Sequence, residues 1–126
     1  MPEAVCRVLV VEDEPLIRQL LTAALGGRGH TIDTCSNGAE GLQQLQTASY
    51  DVLITDFHMP RMTGIQLIDA VRAARIKIAI ILMSSNNLDE LALTGKDLEG
   101  IQFLRKPFGI NELFASVQRA IKSSSR

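Results

Sequence analysis

Five short apolar runs alternate along the chain with stretches whose apolar residues recur every three to four positions. The first run, VCRVLVV at 5–11, is rich in Val and lacks polar alternation, the pattern of a strand covered on both faces. Pro15 then suits the first turn of a helix. Ile17, Leu20, Leu21 and Ala24 form one apolar stripe on it, and GGRG at 26–29 ends it. HTIDTC at 30–35 predicts a weaker second strand. Asn37, with Glu40 three residues on, resembles a capping box opening a helix that carries Leu42 and Leu45. DVLIT at 51–55 predicts the third strand, and Ile65, Ile68 and Val71 the next helical stripe. IKIAIILMS at 76–84 is the most apolar strand and IQFL at 101–104 a short one. Ile110, Leu113, Phe114, Val117 and Ile121 fall at i, i+3, i+4, i+7 and i+11, the clearest helix in the chain. In the irregular stretch 86–100, NNLDELALTGKDLEG, one helix is expected around 87–94, broken by Gly95 and Gly100.

Strand and helix alternating five times imply an α/β, doubly wound parallel sheet with helices on both faces. Ligands in such sheets bind beyond the carboxyl ends of the strands, and polar residues collect there. Strand one ends in Glu12 and Asp13, strand three in Asp56, strand four in Ser84 and Ser85, and Lys106 follows strand five. Three carboxylates brought together repel one another, and a bound cation is the natural way to keep all of them ionised. Oxygen donors in an open site favour Mg²⁺ or Mn²⁺ over zinc. A lysine and a hydroxyl beside that cation suit a phosphoryl group. Asp56 stands alone at a central strand end and is the best candidate to accept it covalently. Glu12 and Asp13, being adjacent, are better placed to hold the metal. In FHMPRMTG at 57–64, Pro60 and Gly64 let the rim open outward, and a backbone carbonyl of this turn could complete the metal shell.

Composition narrows this little. A chain of 126 residues fits one domain, with 46 % hydrophobic and 21 % charged residues, as in ordinary globular proteins. The net charge of −1 gives no bulk field for nucleic acid or an anionic membrane, and aromatics at 4 % offer no stacking platform for bases. No apolar run is long enough to span a bilayer, and the N-terminus lacks signal-peptide features, so a cytoplasmic protein is expected. Cys6 and Cys35, with no CxxC, read as reduced strand residues.

Each candidate also has a plainer reading. Asp56 alone would be a turn former or helix cap; the company of Glu12, Asp13 and Lys106 argues otherwise. EDEP at 12–15 could merely favour a helix dipole. Ser84 and Ser85 could cap the next helix, and for Ser85 that, or small size, is the better explanation. Phe103 fits a core aromatic as well as a functional one. His30 reads as a surface residue. His58 has no second His or Cys placed to join its ring on a metal.

With these residues in place, the sequence resembles the receiver domains of bacterial two-component response regulators, the CheY-like family. The resemblance covers nearly the whole chain and rests on VLVVEDEP (8–15), DVLITDFHMPRMTG (51–64), IILMSS (80–85) and FLRKPF (103–108). It implies a flavodoxin-like (βα)5 fold with strand order 2-1-3-4-5. It implies one receiver domain over 1–126, structured from about 5 to 122 and ending in a polar tail at 123–126 that frays or marks a cut end. By the same resemblance Asp56 is the phosphoacceptor, Asp13 a direct Mg²⁺ ligand and Glu12 a ligand partly through water. His58 supplies a backbone carbonyl, Lys106 binds phosphate, Ser84 is the switch hydroxyl and Phe103 the aromatic that reports activation. The Lys106–Pro107 bond is expected to be cis.

The implied partners are a sensor histidine kinase or phosphotransfer protein upstream, and a downstream protein or an absent output domain. The surface of the fourth helix, fifth strand and fifth helix is the implied output face and the place for a homodimer. Neither nucleic acid nor membrane is an implied partner of this domain. Where the family commonly has an Ala-Gly pair before the fifth strand, Leu98, Glu99 and Gly100 stand here, which makes a short or displaced fourth helix the expectation. Two rival classes remain. A degenerate receiver would dock partners without phosphate, but such domains usually lack an acid or the lysine. A haloacid-dehalogenase-type phosphatase would show D-x-D-x-T, where this chain reads DFHMP with His58 in place of the second acid. At most, the chain is expected to catalyse its own aspartyl phosphorylation and dephosphorylation.

Overall fold

The computed structural model describes residues 4–87 and 99–124. All five apolar runs become strands: β1 (Arg7–Val11), β2 (Thr31–Cys35), β3 (Val52–Asp56), β4 (Ala79–Ser84) and β5 (Ile101–Arg105). They form one parallel sheet in the order β2-β1-β3-β4-β5, a flavodoxin-like α/β arrangement. Four helices are described: α1 (Pro15–Gly26), α2 (Gly38–Thr47), α3 (Gly64–Ala73) and α4 (Ile110–Ser124), the last being the one counted fifth from the sequence. The helix expected around 87–94 lies, apart from Asn87, outside the described residues. None of the helices among the described residues is long and apolar enough to cross a membrane.

Period-2 alternation sorts each strand between two cores. Val8, Val10, Ile54, Ile81 and Met83 face α1 and α4, where Leu21, Leu25, Leu113 and Val117 meet them. Leu9, Val11, Leu53 and Leu82 face the other way, toward Leu45 of α2 and Leu67, Ile68 and Val71 of α3. β3, central in the sheet, is buried at every position, including Asp56.

Several expectations are corrected. The stripe of α1 runs through Ile17, Leu21, Ala24 and Leu25, whereas Leu20 is 54 % exposed and sits one turn above exposed Leu16. His30 is buried, because the register places Cys6 beside it: its Nδ1 accepts the Cys6 N–H at 3.1 Å. The Cys6 thiol, 3.6 Å from the same nitrogen, is pushed up to about 11 by burial and by the charge of Asp51. The cap at α2 is only half a box. Asn37 accepts the Glu40 N–H, but Glu40 Oε1 reaches back to the Ser36 N–H and hydroxyl. The reciprocal box is on α3, between Thr63 and Gln66.

β4 begins three residues later than its apolar run. The Ile76 N–H donates to Val71 O, closing α3, and Arg75 sits at φ 57 to make that exit. Ile76 and Ile78 therefore pack on the core as part of the connection and not as ladder residues. Arg75 is exposed, so its left-handed backbone is a cost with no side-chain compensation in the core. Arg75→Gly is expected to stabilise the domain by about 0.5–1 kcal/mol in urea unfolding; a loss of stability would contradict this account.

Candidate functional site

The sheet delivers its polar residues to one rim. Glu12 directly follows β1 and is fully buried, its N–H donating to Cys35 O at 3.1 Å. Asp13, next to it, is exposed. Asp56 is the last residue of β3 and is 6 % exposed. The Lys106 N–H donates to Ser84 O at 2.8 Å, extending the β4–β5 ladder far enough to bring the lysine to the same edge. Its ammonium lies 2.7 Å from Glu12 Oε1 and 2.9 Å from Asp56 Oδ1. Carboxylate oxygens of Glu12, Asp13 and Asp56 come within 4.8 Å of one another. Together with Glu14, His58 and Ser85 these residues line an open cavity of about 390 Å³.

The electrostatics follow from that crowding. Burial pushes the Asp56 carboxyl above the ordinary carboxylate range, and Asp13 adds repulsion, while Lys106 opposes the rise. Glu12 shifts up for the same leading reason, again against the Lys106 hydrogen bond, with Asp56 adding repulsion. Lys106 loses solvation too, but its hydrogen bonds to Glu12 and Asp56 outweigh that loss and move it upward. The rim thus sets the carboxylates of Glu12, Asp13 and Asp56 against the Lys106 ammonium, a deficit that a divalent ion would close. Glu12 is engaged through both oxygens, Oε1 by Lys106 and Oε2 by the Glu14 N–H at 3.2 Å. That leaves exposed Asp13 as the more accessible ligand of the pair. Hard oxygen donors in an open cleft fit Mg²⁺ or Mn²⁺.

The β3–α3 loop explains Pro60 and Gly64. The Met62 N–H donates to Pro60 O at 2.8 Å across Arg61, which adopts φ 70, a γ-turn that folds the loop back on itself. The Gly64 N–H then donates to Phe57 O at 2.8 Å, and a Cβ at Gly64 would lie 2.5 Å from Asp56 O. Helix α3 therefore starts in contact with the main chain of Asp56.

His58 stands in the cavity wall. Its Nε2 is 2.8 Å from Asn86 Oδ1, and its ring meets Phe57 edge-on at 4.8 Å between centroids. Ser84 is fully buried and its Oγ accepts the Asn86 N–H at 3.0 Å, while the neighbouring Ser85 is the serine in the cavity wall. Phe103 lies opposite Leu82 in the β4–β5 register, half-buried against the α3-side core. The Lys106–Pro107 bond is cis. Sequence reasoning placed Ser85 at the rim but read it as a cap or a small residue, and it missed the Glu14 amide and Arg18, whose Nη1 donates to Glu12 O at 2.7 Å. Arg18 left a weak trace, a cation one helical turn beyond the acidic pair.

A family-wide profile, the response regulator receiver domain, matches residues 8–118. The chain belongs to this family. Among bacterial relatives, the receiver is 37 % identical over 114 residues to the DNA-binding transcriptional regulator NtrC of Escherichia coli, covering 90 % of this chain and 24 % of NtrC. It is 31 % identical over 119 residues to the transcriptional regulatory protein DltR of Streptococcus agalactiae, covering 94 % of this chain and 53 % of DltR. The receiver thus spans about half the length of one of these regulators and about a quarter of the other. The chemotaxis response regulator CheY4 of Vibrio cholerae superposes with a TM-score of 0.84 at 32 % identity, over 93 % of this chain and 99 % of that one. TrrA of Thermotoga maritima, solved in complex with Mg²⁺-BeF, superposes with a TM-score of 0.80 at 32 % identity, over 90 % of this chain and 97 % of that one. As a CheY-like receiver, the chain is a component of two-component signalling.

Proposed function

We propose that this receiver accepts a phosphoryl group on Asp56 from the phosphohistidine of a sensor histidine kinase or phosphotransfer protein, in the cytoplasm. The observation that carries this reading is the convergence of Glu12, Asp13 and Asp56 around the Lys106 ammonium in one open cavity. Asp13, Asp56 and the backbone carbonyl of His58 would hold Mg²⁺, with Glu12 acting partly through water. The bound ion supplies charge neutralisation to the carboxylates and the phosphoryl oxygens.

In the transfer itself an Asp56 oxygen attacks phosphorus, and the P–N bond to the donor imidazole breaks. The electron pair leaves with the imidazole. Lys106, already at hydrogen-bond distance from Asp56, is placed to bind a phosphoryl oxygen as charge builds there. Attack by water on the acyl phosphate reverses the state and regenerates the carboxylate. The signal would leave through Ser84, which exchanges its Asn86 contact for the phosphoryl oxygen, and through Phe103 turning into the vacated space. A phosphate-linked bias of a few kcal/mol suffices for such a two-state element. The readout surface would span residues 86 to 121 and serve a downstream protein, an output domain or a second receiver.

Intact-mass measurement after incubation with acetyl phosphate and Mg²⁺ tests the reading. One added phosphoryl group, stable to acid and labile to base, is expected; no adduct would overturn it. Asp13→Ala should weaken Mg²⁺ binding by about tenfold or more, about 1.4 kcal/mol. It should also leave the metal-free domain folded, and more stable, because it removes repulsion from Asp56. Unchanged Mg²⁺ affinity in a fluorescence or calorimetric titration would remove Asp13 from the ligand set.

A further inference from the structure

We infer that Arg18 is a positioning residue for the metal site, fixing the Glu12–Asp13 peptide plane from which the Asp13 carboxylate is presented. The inference rests on the phosphoryl-acceptor reading above. Arg18 Nη1 donates to Glu12 O at 2.7 Å, and that carbonyl belongs to the peptide unit joining Glu12 to Asp13. The other polar atoms of Glu12 are also engaged: its N–H by Cys35 O, Oε1 by Lys106 and Oε2 by the Glu14 N–H. Asp13 is the first residue past this fixed unit. Its direction is therefore set by the peptide plane that precedes it.

The turn needs a brace of this kind. Helix α1 opens at Glu14 with no side-chain cap, although helices are usually tied down there by a short polar side chain. Arg18 does not supply that missing acceptor, since its guanidinium only donates, but it ties the turn to the helix by another route. Its main-chain N–H makes the ordinary first helical bond to Glu14 O at 3.1 Å, and its guanidinium adds the side-chain tie to Glu12 O, so helix and turn are joined at this residue. Arg18 also lines, with Pro15, Gln19 and Thr34, an open groove between α1 and β2. A planar, permanently charged fork suits a fixed carbonyl better than a rotating ammonium does. Ligands of Mg²⁺ tolerate little misplacement, and residues that orient ligands matter nearly as much as the ligands.

The test compares wild type with Arg18→Met, which keeps the stem and removes the donors, and with Arg18→Lys, which restores one. In a Mg²⁺ titration, Arg18→Met should bind about tenfold more weakly and Arg18→Lys should recover part of the loss. At saturating Mg²⁺, labelling of Arg18→Met by acetyl phosphate should return to the wild-type rate, because only presentation of the ligand is impaired. In metal-free protein the amide resonances of Asp13 and Glu14 should shift, with those of β3 unmoved. Should Arg18→Met fail to fold, Arg18→Gln takes its place in the same comparison. Mg²⁺ affinity equal to wild type in the folded variant, whatever its melting temperature, would overturn the inference. Labelling of the wild type decides the underlying reading separately, since it does not depend on any Arg18 variant.

Discussion

Asp56→Asn is expected to take up no phosphoryl group under conditions in which the wild type takes up one. The substitution preserves the shape and hydrogen-bonding capacity of the side chain at the end of β3 but removes the nucleophilic charge. Equal mass gain by both proteins would place the chemistry elsewhere. The same variant carries a stability signature with a definite sign. Burial raises the Asp56 carboxyl above its ordinary value, so the folded state holds that proton more tightly than the unfolded chain does. Its contribution to stability therefore falls as pH rises from the ordinary carboxylate range through the raised folded value, and the cost is complete above it. Metal-free Asp56→Asn should accordingly melt higher than wild type at neutral pH, and the advantage should shrink as pH is lowered toward about 4. Mg²⁺ should narrow the gap by stabilising the wild type more than the variant. A metal-free variant that melts lower than wild type at neutral pH would mean that the Lys106 contact outweighs the burial of the charge.

Gly64→Ala is expected to destabilise the domain by about 2–3 kcal/mol, a large effect for one methyl group. The added carbon would lie 2.5 Å from Asp56 O, 2.9 Å from Leu82 Cδ1 and 3.0 Å from Phe57 Cα. Two of those three neighbours are main chain, so no rotamer change relieves the contact. Helix α3 would have to lift off the end of β3, straining the Gly64 N–H to Phe57 O bond that seats it. Because the atom under pressure belongs to Asp56, labelling should slow as well, even where the variant is fully folded. Urea unfolding checks the first claim, and a loss below about 0.5 kcal/mol would refute the steric argument.

The rim was legible because two regularities act together. Strand–helix alternation fixes which ends of the strands coincide, and Glu12, Asp13, Asp56 and Lys106 are then neighbours whatever the loops do. The helix faces of α2, α3 and α4 followed from apolar spacing, and the sheet order from the resemblance to the receiver family. Errors arose where the deciding contact is not between side chains of matching period. Leu20 has the spacing of a core residue, yet Leu25 takes the place beside the sheet. His30 is polar, but its ring nitrogen receives a strand-edge amide, and such a partner has no trace in composition. Glu40 bonds one residue earlier than the capping pattern predicts. Arg18 escaped for a similar reason: its partner is a carbonyl, which every residue carries.

The burial of β3 on both faces has a further consequence for how the site behaves in time. Val52–Asp56 pairs with β1 on one side and β4 on the other, and all five of its positions are buried. Amide hydrogens of such a strand exchange only through openings that approach global unfolding, whereas exposed loops such as the one carrying His58 exchange through local fluctuations. Asp56, the proposed acceptor, is thus attached to a part of the molecule expected to exchange slowly, and the His58 side of the cavity wall to a part expected to exchange faster. On the proposed function, local fluctuations of that loop would recur many times within the lifetime of a single closed sheet without displacing the Asp56 carboxylate.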